Sequence, residues 1–203
     1  MKDLVILVPD KNVKFAIDGL LSRYDSLQIK QISYDIFIHP HHDPGIYHQA
    51  VKILQPLIKD YHFALVFLDH EGSGQEKISS AEIVRKIHGE LERNGWLHRV
   101  EVIVFNPEVE IWVWTESPHT AAALGWNSYS ELKAWLIQNE IWKQNTPKPE
   151  RPKKALEMSL KIKRIPRSSS IYQEIARKVS LNKCQDDSFS NFRNILQKWF
   201  PIN

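Results

Sequence analysis

Among the 203 residues of this chain, the types that most directly suggest chemistry stand at Asp69-His70-Glu71, followed by Gly72-Ser73-Gly74. The two carboxylates lie one residue apart at the end of an apolar run, Ala64-Leu65-Val66-Phe67-Leu68. Side chains alternate along a strand, so positions 69 and 71 face the same way. Two convergent carboxylates offer hard oxygen ligands to a divalent cation. A cation held there activates water or offsets charge that develops on a phosphate. The bland alternative is a solvated acidic strand end. His70 points the other way and serves as a proton carrier only if the strand has already ended.

Further acids occupy related places. Asp10 follows the first apolar run, and Glu108 and Glu110 follow the fourth. With Asp69 and Glu71 they form one candidate constellation for Mg²⁺ or Mn²⁺. Glu108 and Glu110 also have an ordinary explanation, because acids in the first turns of a helix complement its dipole. A second group is His39, His41, His42, Asp43 and His48. It admits a zinc reading, although clustered loop histidines are commonly polar surface, and a substrate-facing role is the better use of this loop. Cys184 reads as a small buried apolar residue. The chain has no Walker-type glycine loop and no Gly-x-Ser-x-Gly elbow.

The elements that must position these groups are legible from periodicity. Strands are expected at 4–8, 28–38, 64–69 and 100–105, the first and third as continuous apolar runs. Between them, Asn12 reads as an N-cap for a helix bearing Val13, Ala16, Ile17 and Leu20. Asp43-Pro44 reads as N-cap and first helical position of a helix over about 45–60, interrupted at Pro56. Ser79-x-x-Glu82 has capping-box spacing, and Gly95 closes that helix. The alternation β-α-β-α-β-α-β predicts a parallel sheet wrapped by helices, with chemistry at the carboxyl ends of its strands. Asn106-Pro107 then predicts a helix start with Glu108 and Glu110 in its first turns. Short helices are expected from Ser117 and from Ser128. A proline-bearing connector spans 144–152, and helices cover about 152–163, 169–179 and 188–199. The expected division is an α/β domain over 1–116 and a basic helical region over 117–203 packed on it.

Charge is uneven. Net charge is +3, yet residues 143–178 carry eleven Lys and Arg against three Glu, leaving 16 basic and 21 acidic residues elsewhere. Carboxylates for metal together with cations for phosphate suit a nuclease; an exposed lysine-rich helical face is the plainer reading. One cysteine allows no intrachain disulfide. No apolar run approaches the roughly 18 residues of a transmembrane helix, and the N-terminal run is too short for a signal peptide. A cytoplasmic protein without membrane contact is expected.

With a carboxylate after the first strand, a paired-acid motif after the third and a parallel β/α sheet, the chain resembles the Toprim fold. That fold occurs in topoisomerases, primases and overcoming-lysogenization-defect nucleases. The segment Asn106-Pro-Glu-Val-Glu110-Ile-Trp-Val-Trp114 is similar to the Pro-x-x-Glu-x-Trp segment of RloB-like bacterial defence proteins. The spacing of Tyr172, Cys184, Phe189 and Leu196 is similar to their helical ends, and to methylation-associated defence components. The resemblance implies metal-dependent cleavage or joining of nucleic acid, DNA above all, in defence against phage or plasmids with other proteins of the system. By position it implies Asp10, Asp69, Glu71 and Glu110 as catalytic acids, with Asp10, Asp69, Glu71 and Glu108 holding Mg²⁺ or Mn²⁺. The chain departs from the family pattern in having Asp first and Glu last. His41, His42, Lys153, Lys154, Lys163, Arg164 and Arg167 are the expected nucleic-acid contacts. The competing expectation is a non-catalytic scaffold or nucleotide-sensing module that kept the sheet.

Overall fold

The computed structural model describes residues 1–202 and contains a four-stranded, all-parallel sheet in the order β2-β1-β3-β4. The strands are β1 (Lys2–Val8), β2 (Tyr34–Ile38), β3 (Tyr61–Asp69) and β4 (Val100–Phe105). Helices α1 (Lys11–Leu21) and α2 (Tyr24–Leu27) follow β1, α3 (His42–Leu54) follows β2, and α4 (Ser80–Leu91) follows β3. The chain is therefore an α/β protein of Rossmann-like architecture, with a helical C-terminal region: α5 (Pro118–Ala123), α6 (Tyr129–Gln138), α7 (Pro152–Ile162), α8 (Ser169–Lys178) and α9 (Asp187–Trp199).

Each face of the sheet has its own core. Val5, Leu7, Ala64, Val66, Leu68, Val102 and Val104 pack against Ile46, Leu54, Ile83 and Ile87 of α3 and α4. Leu4, Ile6, Val8, Leu65, Phe67, Ile103 and Phe105 face the other way, toward α1 and the C-terminal helices. Both faces are covered, which is why the strands read as unbroken apolar runs. The second core runs without a break from Leu4 to Phe200, so the helical region and the sheet share one interior. Most tryptophans lie inside it: Trp112, Trp114, Trp126 and Trp142 are buried there.

Several local expectations are met by the predicted device. Ser79 and Glu82 form a reciprocal capping box, and Ser117 and Ser128 cap α5 and α6. Elsewhere tertiary contacts override the local signal. Asp10, not Asn12, caps α1, accepting from the Val13 amide at 2.9 Å. Strand β2 begins at Tyr34; upstream, Gln28 is left-handed (φ 59°) and Ile29 instead bridges to Pro201. Helix α3 starts at His42, so Asp43 lies in its first turn and is not its cap, and the helix tightens into a 3₁₀ turn at Gln55–Leu57 around Pro56. The residues after β4 also depart from expectation. Glu108 is extended (φ −154°, ψ 164°), and helical geometry starts at Val109 as one 3₁₀ turn, Val109–Trp112. Trp112 fixes this turn by inserting among Phe67, Phe105, Phe189 and Phe192. Among the described residues, no helix is long and apolar enough to cross a membrane.

Candidate metal centre

In a parallel sheet every strand ends on the same edge, so the segments after β1, β2, β3 and β4 converge. The order β2-β1-β3-β4 reverses direction between β1 and β3, the topological switch point where such sheets bind ligands. Asp10 follows β1, Asp43 lies just past β2, Asp69 ends β3, and Glu108 and Glu110 flank the 3₁₀ turn after β4. From this edge the structure gathers Asp69, Glu108 and Glu110, each offering an oxygen within 4.8 Å of the others. It is the only such group of three ligating side chains among the described residues.

Hydrogen bonds fix each acid. Asp69 Oδ1 accepts from the Val109 amide at 2.9 Å, tying the end of β3 to the 3₁₀ turn. The Asp69 amide in turn donates to Asp43 Oδ1 at 2.7 Å, which ties β3 to the start of α3. Glu108, 5% exposed, accepts from the Lys153 amide at 3.2 Å and stands 3.5 Å from its ammonium group. Glu110, 2% exposed, accepts at Oε1 from Arg167 at 2.7 Å and from the Tyr172 hydroxyl at 2.5 Å. Arg167 also donates to Glu157 at 2.5 Å.

The electrostatics follow from crowding. Burial pushes the Asp69 carboxyl well above the ordinary carboxylate range, and the nearby Asp43, Glu110 and Asp10 push it further against the single Val109 amide. Burial and Asp10 raise Asp43 to about 6. Glu108 is raised by burial and by Glu110, with Lys153 opposing. Burial and Glu110 raise the Tyr172 phenol, so it stays a proton donor to that carboxylate. Asp69 is the member with no cation of its own beside it. Carboxylates held together out of water are stabilised by a proton or by a bound cation.

The donor set fits a hard divalent ion. Oxygens opposite one another on such an ion lie about 4.2 Å apart for Mg²⁺ and about 4.6–5.2 Å apart for Ca²⁺, twice the usual bond lengths. The three oxygens lie within 4.8 Å of one another, so Mg²⁺ would draw them closer together and the larger Ca²⁺ would need less movement.

The remaining expected residues divide. Asp10 contributes its field to Asp43 and Asp69 but spends its oxygens on capping α1 and on Asn12. Glu71 is exposed, and only its amide is anchored, to Pro107 O; it lies outside the three-acid group. The expectation that Glu71 faces inward with Asp69 fails because β3 ends at Asp69 and strand alternation no longer applies. His70 turns away, toward Ile78 O at 2.8 Å.

His41 and His42 are exposed, and His42 Nδ1 lies 3.0 Å from Pro9 O. His39 is buried, its Nδ1 accepting from the His41 amide. No histidine belongs to a three-ligand group among the described residues, so the loop is not assembled as a zinc site. Lys163 stands 3.7 Å from Glu131 and 4.0 Å from the centre of the Trp126 ring. Lys154 and Arg164 are exposed, and no side-chain hydrogen bond or ion pair engages them among the described residues.

Three participants, Asp43, Arg167 and Tyr172, were not singled out for these roles. Asp43 was read as a helix start and as a member of the histidine group, not as a neighbour of Asp69, although its place after β2 put it on the same edge as Asp10 and Asp69. No sequence signal joins Tyr172 and Arg167 to Glu110 across some 60 residues. No protein-family model, curated protein or solved structure matches this chain.

Proposed function

We propose that this protein is a divalent-cation-dependent phosphoryl-transfer enzyme acting on nucleic acid, a Toprim-like nuclease using Mg²⁺ or Mn²⁺. The observation that carries the reading is the convergence of Asp69, Glu108 and Glu110 at the switch-point edge of a parallel sheet. Asp69, anchored to Val109, and the two glutamates would hold the ion. When bound, such an ion supplies an activated water and offsets charge on the phosphate in flight. Arg167 and Tyr172 keep Glu110 oriented, and Lys153 does the same for Glu108. Lys154 and Arg164 are free to meet the phosphate backbone. A place in defence against phage and plasmids is supported by the resemblance of the Asn106–Trp114 segment.

One observation favours a second reading, a non-catalytic scaffold. Glu108 and Glu110 already have Lys153 and Arg167 as counter-charges, which balances two of the three acids within the chain.

Mn²⁺ titration of the full chain, by calorimetry and by electron paramagnetic resonance, separates the two. The enzyme reading predicts one bound Mn²⁺, weakened at least about tenfold in Asp69→Asn, and Mn²⁺-dependent cleavage of a DNA oligonucleotide lost in the same variant. Absence of Mn²⁺ binding at millimolar concentration overturns the metal centre. Binding with no cleavage of DNA or RNA selects the scaffold.

A further inference from the structure

Strand β4 is an outer strand of the sheet, paired only with β3. Ala64 N donates to Arg99 O, and His70 N donates to Phe105 O. Backbone groups alternate along a strand, so Glu101, Ile103 and Phe105 bond to β3 while Val100, Val102 and Val104 aim theirs outward. Among the described residues no group bonds the outward N–H and C=O of Val102 and Val104. Open edges of this kind are ordinarily covered, bulged or blunted with lysine. Here Val102 and Val104 are only 2% and 8% exposed, and their outward groups lie at the floor of a groove between α4 and α9.

This groove of about 570 Å³ runs along the edge. One wall is the first turns of α4, with the small side chains of Ser80, Ala81 and Val84; the other is the start of α9, with Asp186, Asp187 and Asn191. Glu101 shares the face of Ile103 and Phe105, toward α9. Glu101 and the exposed Asp187 have no ion-pair partner among the described residues, and Asp186 has Lys148 only at 3.7 Å. The groove therefore offers a ladder of backbone donors and acceptors, a small-residue wall and an acidic wall.

We propose that this edge is a β-augmentation site for an extended segment of a partner protein in which small apolar residues alternate with Lys or Arg. The segment adds a fifth strand beside β4. Its main chain bonds Val102 and Val104, its apolar side chains lie on Ser80, Ala81 and Val84, and its cations face Glu101 and Asp187. Main-chain bonds supply affinity in such complexes and the alternate side-chain walls supply selection. The charge of the groove argues against a second copy of β4 as the occupant, since Glu101 and Asp187 of two copies would meet. This site lies on the sheet's side edge and does not depend on metal at Asp69.

The test is an amide-resolved NMR titration of the full chain with a short peptide alternating Lys and Val, and with its Glu-for-Lys counterpart. The Lys peptide is expected to slow hydrogen exchange at the Val102 and Val104 amides by about tenfold or more. Glu101→Lys with Asp187→Lys is expected to weaken the Lys peptide about tenfold and to transfer preference to the Glu peptide. Asp187→Lys alone, at an exposed position, gives the same direction without risk to the fold. No binding at about 1 mM peptide, binding that leaves Val102 and Val104 exchange unchanged, or self-association through this edge overturns the proposal.

Discussion

Replacing Arg167 by Met tests whether the acidic centre is held together by its internal counter-charges. Glu110 is 2% exposed and takes hydrogen bonds from Arg167 at 2.7 Å and Tyr172 at 2.5 Å. Removing one partner of a buried ion pair destabilises by about 3–5 kcal/mol, because the other charge is left in a poor medium. The Arg167 side chain keeps 29% of its exposure and the Tyr172 hydroxyl remains, so the expected loss is lower, about 2–3 kcal/mol. Urea unfolding in chelator measures it. At an m-value of roughly 2–3 kcal/mol/M the midpoint falls by about 1 M, with m unchanged. The double variant Arg167→Met, Glu110→Gln removes the stranded charge while the amide oxygen still accepts from Tyr172. It should recover to within about 1 kcal/mol of the parent. A single variant within about 0.5 kcal/mol of the parent, or a double variant no better than the single, would refute the reasoning, since Glu110 would then not need its cation.

Two other outcomes follow from the same region. Asp43 is raised from 3.8 to about 6, so the folded state binds its proton more tightly than the unfolded chain. That contribution is full below about pH 3.8 and is lost as pH rises through about 6. At about 1.4 kcal/mol per unit it amounts to at most ~3 kcal/mol, reduced by solvent screening. In chelator at about pH 8, Asp43→Asn should therefore be about 1–3 kcal/mol more stable than the parent, with the difference gone near pH 4; a pH-independent difference would exclude the cause given. Gly45→Ala places a Cβ 2.2 Å from His39 Nδ1, inside a buried contact, and should lower stability by about 1–3 kcal/mol despite alanine's better helix propensity. Thermal melts that rise instead would show that the His39 ring moves freely.

What the sequence determined was whatever depends on near neighbours along the chain. The apolar runs at 4–8, 64–69 and 100–105 sufficed for a parallel sheet, because strands covered on both faces admit few polar residues. Ser79 with Glu82, Ser117 and Ser128 announced their helices, since a cap reaches only two or three residues ahead. The helices at 152–162, 169–178 and 187–199 were equally visible as amphipathic repeats. The carboxyl-edge position of Asp10, Asp69, Glu108 and Glu110 followed from the alternation of strands and helices. The tertiary structure alone decided which acids meet. Glu71 turned outward when β3 stopped two residues short of it, and Glu110 turned inward because Trp112 pulled the 3₁₀ turn into the core. Asp43 gave its carboxylate to the Asp69 amide, 26 residues away, and Arg167 and Tyr172 reached Glu110 from 57 and 62 residues away. Such pairings are set by where packed elements come to rest against one another, and no local spacing encodes them.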